Sequence, residues 1–236
     1  MLLGCLMALH PAHLHAQVPT GGDLLDKAIA FHDPQGHWRS FQGKLSIEMI
    51  TPEDTPRLSL ILLDLPGAHF ESHVRKDGHT VKSILRQGQC ELLLNNSPVI
   101  ADTYRERYKI TCDRARMMKD YYTYLYGLPM KLKDSGSLID PKVVKTHFKG
   151  NEYLRLKVTY VEEVGEDTWY FYFDPQTYAL QAYQFFHNEA ENDGEYILLT
   201  DLLEVNGIKM PKVRAWYYNR DNAYLGTDHL RKGGAL

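Results

Sequence analysis

Trp169-Tyr170-Phe171-Tyr172-Phe173-Asp174-Pro175-Gln176-Thr177-Tyr178 decides the fold of this chain. Five successive aromatics run into Asp-Pro-Gln-Thr, a turn composition, and the chain returns as Tyr178 to Phe186. A second pair follows directly, Glu195 to Val205 and Ile208 to Tyr218, joined by Asn206-Gly207. That dipeptide accepts the positive φ angles of a two-residue hairpin turn. Two hairpins in sequence with no helix between them form an antiparallel meander. Each strand then has two faces to cover, and both faces of the aromatic strand are apolar. Trp169, Phe171 and Phe173 share one face, and Tyr170 and Tyr172 share the other.

Strand-like runs also precede this region. Gln42 to Thr51, Arg57 to Leu65, His69 to Lys76, His79 to Gln87 and Gln89 to Leu94 are separated by turn signals, Asp77-Gly78 among them. Val143 to Phe148 and Glu152 to Glu162 lead into the aromatic hairpin, for a tally of about eleven strands. A leading helix is expected from Asp23 as N-cap, with Leu24, Leu25, Ala28 and Ile29 at helical spacing. The middle of the chain lacks strand alternation. Ala101 to Tyr108 and Asp113 to Tyr126 read as helices, the second stopped by Gly127 and Pro129. Its buried stripe is expected at Ala115, Met118, Tyr122 and Leu125. The class is α+β, and no repeat, linker or boundary divides residues 17–236 into more than one domain.

The chain has 236 residues, 44% hydrophobic and 24% charged, enough for one substantial core. Net charge is −3 with scattered cations, so nucleic acid is not an expected partner. The first sixteen residues carry no Lys, Arg, Asp or Glu, and Leu14-His15-Ala16 offers a cleavage site. Residues 1–16 therefore read as a signal peptide, one whose missing basic start places Met1 inside a longer signal. Leu2-Leu3-Gly4-Cys5 gives a second reading, a lipobox with a lipid anchor on Cys5. Cleavage after Ala16 is preferred, because Leu6-Met7-Ala8-Leu9 would make an unusually apolar tether. The expected location is periplasmic or secreted. An exported chain would keep Cys90 and Cys112, an even pair in an oxidising compartment, and a disulfide between them is expected. The alternative is two buried free thiols.

No nucleophile elbow, HExxH, phosphate loop or dinucleotide fingerprint occurs, so no catalytic residue and no cofactor is indicated. Single residues such as His187, Asp201 and Ser97 form no recognisable constellation. His69-x-Glu71-x-His73 places two imidazoles and a carboxylate on one strand face. With Asp77-Gly78 as the turn, His73 pairs with Lys82 and His69 with Arg86, and two cations there oppose a divalent ion. No metal is expected. The Asn206-Gly207 register likewise sets Glu204 opposite Lys209 and Asp201 opposite Lys212, and Pro211 favours an edge or a bulge.

The aromatics are the excess to be explained: sixteen Tyr and three Trp. The candidate ligand-binding residues are Trp169, Phe171 and Phe173 on the aromatic strand, Tyr122 and Tyr126 on the second middle helix, and Trp216 on the last hairpin. The competing reading makes both faces ordinary core.

The leading helix, the long meander with a helical insertion, and the closing hairpin Gly194 to Trp216 with Asn206-Gly207-Ile208-Lys209-Met210-Pro211 resemble the LolA-like superfamily of periplasmic lipoprotein carriers. The resemblance implies a curved, incompletely closed β-barrel, capped by helices as a lid, with acyl chains held in its concavity. Tyr124-Leu125-Tyr126-Gly127-Leu128-Pro129-Met130-Lys131-Leu132 and Asp167-Thr168-Trp169-Tyr170-Phe171-Tyr172-Phe173-Asp174-Pro175 are also similar to a family of secreted bacterial proteins with no established activity. The expected function is non-enzymatic binding of a lipid or other apolar small molecule in a half-barrel cavity. A module binding an outer-membrane or envelope partner, or a hydrolase on the same scaffold, are the alternatives. Oligomeric state is left open.

Overall fold

The computed structural model describes residues 18–236, so the signal-peptide and Cys5 readings lie outside the described residues. Among these, no helix is long and apolar enough to cross a membrane. Helix α1 (Gly21–His32) opens the fold. Its N-cap is Thr20 rather than the expected Asp23: Thr20 Oγ1 accepts the Asp23 N–H at 3.2 Å. Asp23 sits instead in the first turn, where a carboxylate favours the positive end of the helix dipole.

Five strands follow: β1 (Gln42–Ile50), β2 (Arg57–Asp64), β3 (His69–Lys76), β4 (His79–Arg86) and β5 (Gln89–Leu94). The helical insertion is α2 (Asp102–Tyr108) and α3 (Cys112–Gly127). Then come β6 (Ser137–Phe148), β7 (Asn151–Tyr160), β8 (Thr168–Phe173), β9 (Leu180–Phe186), β10 (Glu195–Val205), β11 (Ile208–Tyr218) and β12 (Tyr224–Ala235). All twelve form one antiparallel sheet in the order β5-β4-β3-β2-β1-β12-β11-β10-β9-β8-β7-β6. Edge strands β5 and β6 do not pair, so the curved sheet stays open, the half-barrel anticipated from sequence.

The turn chemistry accounts for much of the register. Asn206 and Gly207 take φ of 52° and 79°, and Glu204 faces Lys209. Asp77 and Gly78 do the same at 50° and 75°, setting Lys76 opposite His79, His73 opposite Lys82 and His69 opposite Arg86. Asp174 closes the β8–β9 turn by accepting the N–H groups of Gln176 and Thr177 at 2.9 and 2.7 Å. Two strands start elsewhere than expected. Tyr178 belongs to that turn, with φ of 63°, so β9 starts at Leu180. β6 starts six residues before Val143, since a bulge between Ile139 and Val143 interrupts its alternation. Asp201 takes a left-handed φ of 53° and is not itself a ladder pair. The register is unbroken around it, Thr200 opposite Val213 and Leu202 opposite Pro211, which leaves it at the level of Lys212 as expected.

The strand absent from the sequence reading is β12. It pairs with β1 on one side and β11 on the other, and so joins the two halves of the meander. Its residues, Tyr-Leu-Gly-Thr-Asp-His-Leu-Arg-Lys-Gly-Gly-Ala, carry little β-branched or alternating apolar character. Two-sided pairing supplies what propensity does not.

The concave face holds the main core. α1 covers β6 and β11, with Leu24, Leu25 and Ala28 fully buried. α3 covers β4 and β5, turning Ala115, Tyr122, Leu125 and Tyr126 inward. Met118, expected in that stripe, is only half-buried. Cys90 and Cys112 form a disulfide, tying the start of α3 to β5 with a Cα–Cα distance of 6.0 Å. At the other end, Gly127 lies so close to Trp38 that an added Cβ would stand 2.3 Å from its ring. His32, at the end of α1, is fully buried and bridges two strands. Its Nε2 accepts the Leu180 N–H at 2.9 Å, so Nδ1 carries the proton donated to Lys209 O at 2.6 Å. Burial holds its pKa down at about 4, from 6.5.

Candidate functional site

Trp169, Phe171 and Phe173 of β8 face the concave side, and Tyr170 and Tyr172 the convex side, as alternation requires. The convex pair is buried too, in a small cluster with Tyr153 and Phe186. Arg155 stacks 4.7 Å from the Tyr170 ring, and Tyr170 donates to Glu189 at 2.7 Å. Phe171 and Phe173 are fully buried among apolar neighbours. Tyr126 is 1% exposed, and its ring lies 3.9 Å from the Arg214 guanidinium. Trp216 stacks on Tyr121.

Two of the six aromatics line cavities, one on each side of α3. Tyr122 lines a cavity of about 460 Å³ between α3, the α2–α3 junction and the inner face of β3 and β4. Trp169 lines a second, of about 550 Å³, with Tyr121, Tyr124 and Tyr160. Tyr124 and Tyr160 share a hydrogen bond there at 2.6 Å.

The first cavity is built in layers by strand register. On the inner face of β3 and β4, Phe70 faces Leu85, Ser72 faces Ser83, Val74 faces Val81 and Lys76 faces His79. The Phe70–Leu85 row belongs to the core, the next two line the cavity and the last stands at its rim. Ile110, Ala115 and Met118 close the opposite wall. The rim is cationic, with Lys76, Arg107 and Lys109 against Asp77. Helix α2, beside this rim, buries none of its residues.

The same register sends His69, Glu71 and His73 to the outer face. There Glu71 is already engaged by His69 at 3.0 Å, His73 at 3.1 Å and Lys82 at 3.3 Å. Among the described residues, no group of three His, Cys, Asp or Glu side chains has a geometry that could hold a metal. His187 pairs locally with Asp167 at 2.6 Å, which raises its pKa.

Beneath α3 lies a buried polar cluster that the sequence reading missed. Arg214 of β11 is 1% exposed and Asp228 of β12 is 3% exposed, and the two are cross-strand partners. Arg214 donates to Pro211 O at 2.9 Å and to Leu125 O, in the last turn of α3, at 3.2 Å. A cation at that helix end complements the dipole and fastens α3 to the sheet. Burial raises the Asp228 carboxyl above its ordinary pKa, although Arg57 and Arg214 pull it down. The Trp216 indole also favours the carboxylate without completing a well-formed hydrogen bond. Tyr121, whose hydroxyl lies 3.5 Å from Asp228, Tyr126 and Tyr183 are pushed well up by burial and stay neutral. A hydrolase would need such a cluster in contact with substrate. Arg214 and Asp228 line neither cavity beside α3, and their visible contacts hold helix and sheet together. The signal for Arg214 was available: it shares strand phase with Ile208, Met210 and Trp216. Asp228 offered none, since β12 itself went unread.

The chain belongs to the family of unknown function DUF6503, whose model matches residues 2–232. No curated protein matches it. Among solved structures, it is similar to a LolA superfamily protein from Nitrosomonas europaea, with 9% identity, TM-score 0.51, and 92% of this chain and 94% of the other covered. It is likewise similar to an outer membrane lipoprotein-sorting protein domain from Vibrio parahaemolyticus, with 11% identity, TM-score 0.52, and 90% and 92% covered. At these identities the likeness is one of fold: a LolA-like half-barrel.

Proposed function

We propose that this member of the family is a periplasmic or secreted carrier that binds a lipid or similar apolar ligand without transforming it. The observation that carries the reading is the cavity of about 460 Å³ between α3 and the inner face of β3 and β4. Its size falls within the range of small-molecule sites, and its wall passes from apolar side chains to a charged rim. Val74, Val81, Ile110, Ala115, Met118 and the Tyr122 ring offer an acyl chain its contacts. Each methylene moved out of water contributes about 0.8 kcal/mol, so a chain of modest length offsets the cost of immobilising it. Trp169 at the second cavity is the other aromatic placed to touch a ligand, while Tyr126, Phe171 and Trp216 pack against the lining residues Tyr122, Trp169 and Tyr121, and Phe173 is core. Export is supported by the apolar start of the chain and the Cys90–Cys112 disulfide, a bond at home in an oxidising compartment. α3 is tied at both ends, by the disulfide and by Arg214, whereas α2 buries nothing. Entry past α2 therefore asks least of the fold.

The test is native mass spectrometry of protein purified gently from its own envelope, followed by organic extraction. A bound lipid in near-stoichiometric amount is expected. An apo mass that persists after incubation with lipid vesicles would refute the carrier.

A further inference from the structure

We infer that the ligand of this cavity is an anionic amphiphile, an acyl chain ending in a carboxylate or phosphate, seated with its head against Arg57 and Arg114. The inference rests on the carrier reading and names its ligand class.

The cations around the cavity outnumber the acids beside them, and they are unequally matched. Lys76 is paired with Asp54 at 3.0 Å, and Arg107 with Asp77 at 3.4 Å. Arg57, Lys109 and Arg114 line the same cavity and form no salt bridge among the described residues. Arg57 is the most telling. It is half-buried, its Nη2 rests on the Met49 thioether at 3.0 Å, and its Nε is buried with no hydrogen-bond partner. Arg114 also meets a thioether, Met117 Sδ at 3.7 Å. Sulfur of this kind is a weak acceptor, a poor substitute for the carboxylate a guanidinium usually takes when withdrawn from water. Tyr108, also on the cavity wall, has a buried hydroxyl without a partner.

The buried acid whose charge couples to Arg57 does not fill this gap. Asp228 interacts with Arg57 through space, but the two make no ion pair, and burial biases Asp228 toward its neutral form. The wall thus presents two unmatched guanidinium groups and an unmatched hydroxyl beside an apolar lining. A carboxylate or phosphate offers the two guanidinium groups the charged acceptor they lack, in the fork geometry that arginine favours. A neutral head leaves the cations as they stand.

Three probes sharing one oleoyl chain separate the possibilities: oleate, oleoyl lysophosphatidate and neutral mono-oleoylglycerol, each titrated calorimetrically into the full chain. Both anions are expected to bind at least about ten-fold more tightly than mono-oleoylglycerol at low salt, roughly what one charge-assisted contact supplies. The gap should shrink as salt is added. Arg57→Gln and, separately, Arg114→Gln should each narrow it by weakening the two anions more than mono-oleoylglycerol. Arg114 lies on the partly exposed surface of α3, so that variant keeps the test informative should Arg57→Gln fail to fold. Equal affinity for all three probes would overturn the anionic head and leave the carrier standing. Absence of binding by all three would overturn the carrier reading and this inference with it.

Discussion

Acidification should strike this fold at one histidine. His32 is fully buried, and both its ring nitrogens are committed, Nε2 accepting from Leu180 N–H and Nδ1 donating to Lys209 O. Protonation adds a proton to Nε2 and destroys the Leu180 contact. It also places a charge in the core beside Lys209 and Arg214. Burial accordingly lowers the pKa to about 4, with the two cations adding to the shift. In the unfolded chain the imidazole titrates near 6.5. The folded value lies below the unfolded one, so His32 favours the native state fully above pH 6.5. That contribution is lost as pH falls toward 4. Between pH 7.5 and 5.0, linkage with these two values gives a loss of about 2 kcal/mol. Urea denaturation at the two pH values measures it, with His32→Gln as reference, since an amide keeps a donor and an acceptor without titrating. Raised carboxyls such as Asp228 and Glu195 act in the opposite direction, and lowered ones such as Glu71 add to the loss. These contributions cancel between protein and variant. The wild type should lose about 2 kcal/mol more than the variant. Parallel losses in the two proteins would refute the argument.

Two further outcomes follow from other parts of the fold. Reducing the Cys90–Cys112 bond should lower the unfolding free energy by about 3 kcal/mol, the chain-entropy value for a loop of this length, read as a drop in the urea midpoint. An unchanged midpoint would mean that Arg214 and packing alone hold α3 in place. Asp228→Asn should stabilise at pH 7.5 and not at pH 3, because a carboxyl with a raised folded pKa favours the native state only while protonated. A loss of stability at pH 7.5 would show that its attraction to Arg57 and Arg214 outweighs burial.

Local chemistry was legible where it acted over short distances. Asn206-Gly207 and Asp77-Gly78 specify two-residue turns, and a two-residue turn sets the register of its hairpin. From that register came the cross-strand pairs of His69 and His73 with Arg86 and Lys82, and the separation of a polar outer face from an apolar inner one. Trp169, Phe171 and Phe173 were placed on a single face by alternation alone. Their role was not, because a strand face shows what must be covered and not what covers it. Helix and neighbouring strands pack Phe171 and Phe173 solidly, while the space left open lies beside Tyr122 and Trp169.

The sequence by itself determined an antiparallel meander with a leading helix and a helical insertion, because period-two patterns, turn dipeptides and helix stops are written in consecutive residues. The half-barrel was implied only by the resemblance to the LolA-like superfamily. Tertiary structure alone decided the rest. β12 forms a strand only because β1 and β11, far apart in the chain, offer it two edges. Its arrival sets Asp228 opposite Arg214 under α3. The cavity depends on how α3 lies against β3 and β4, and the unmatched charge of Arg57 on which acids fail to reach it. Packing and ion pairing join residues distant in sequence, so no local pattern announces them.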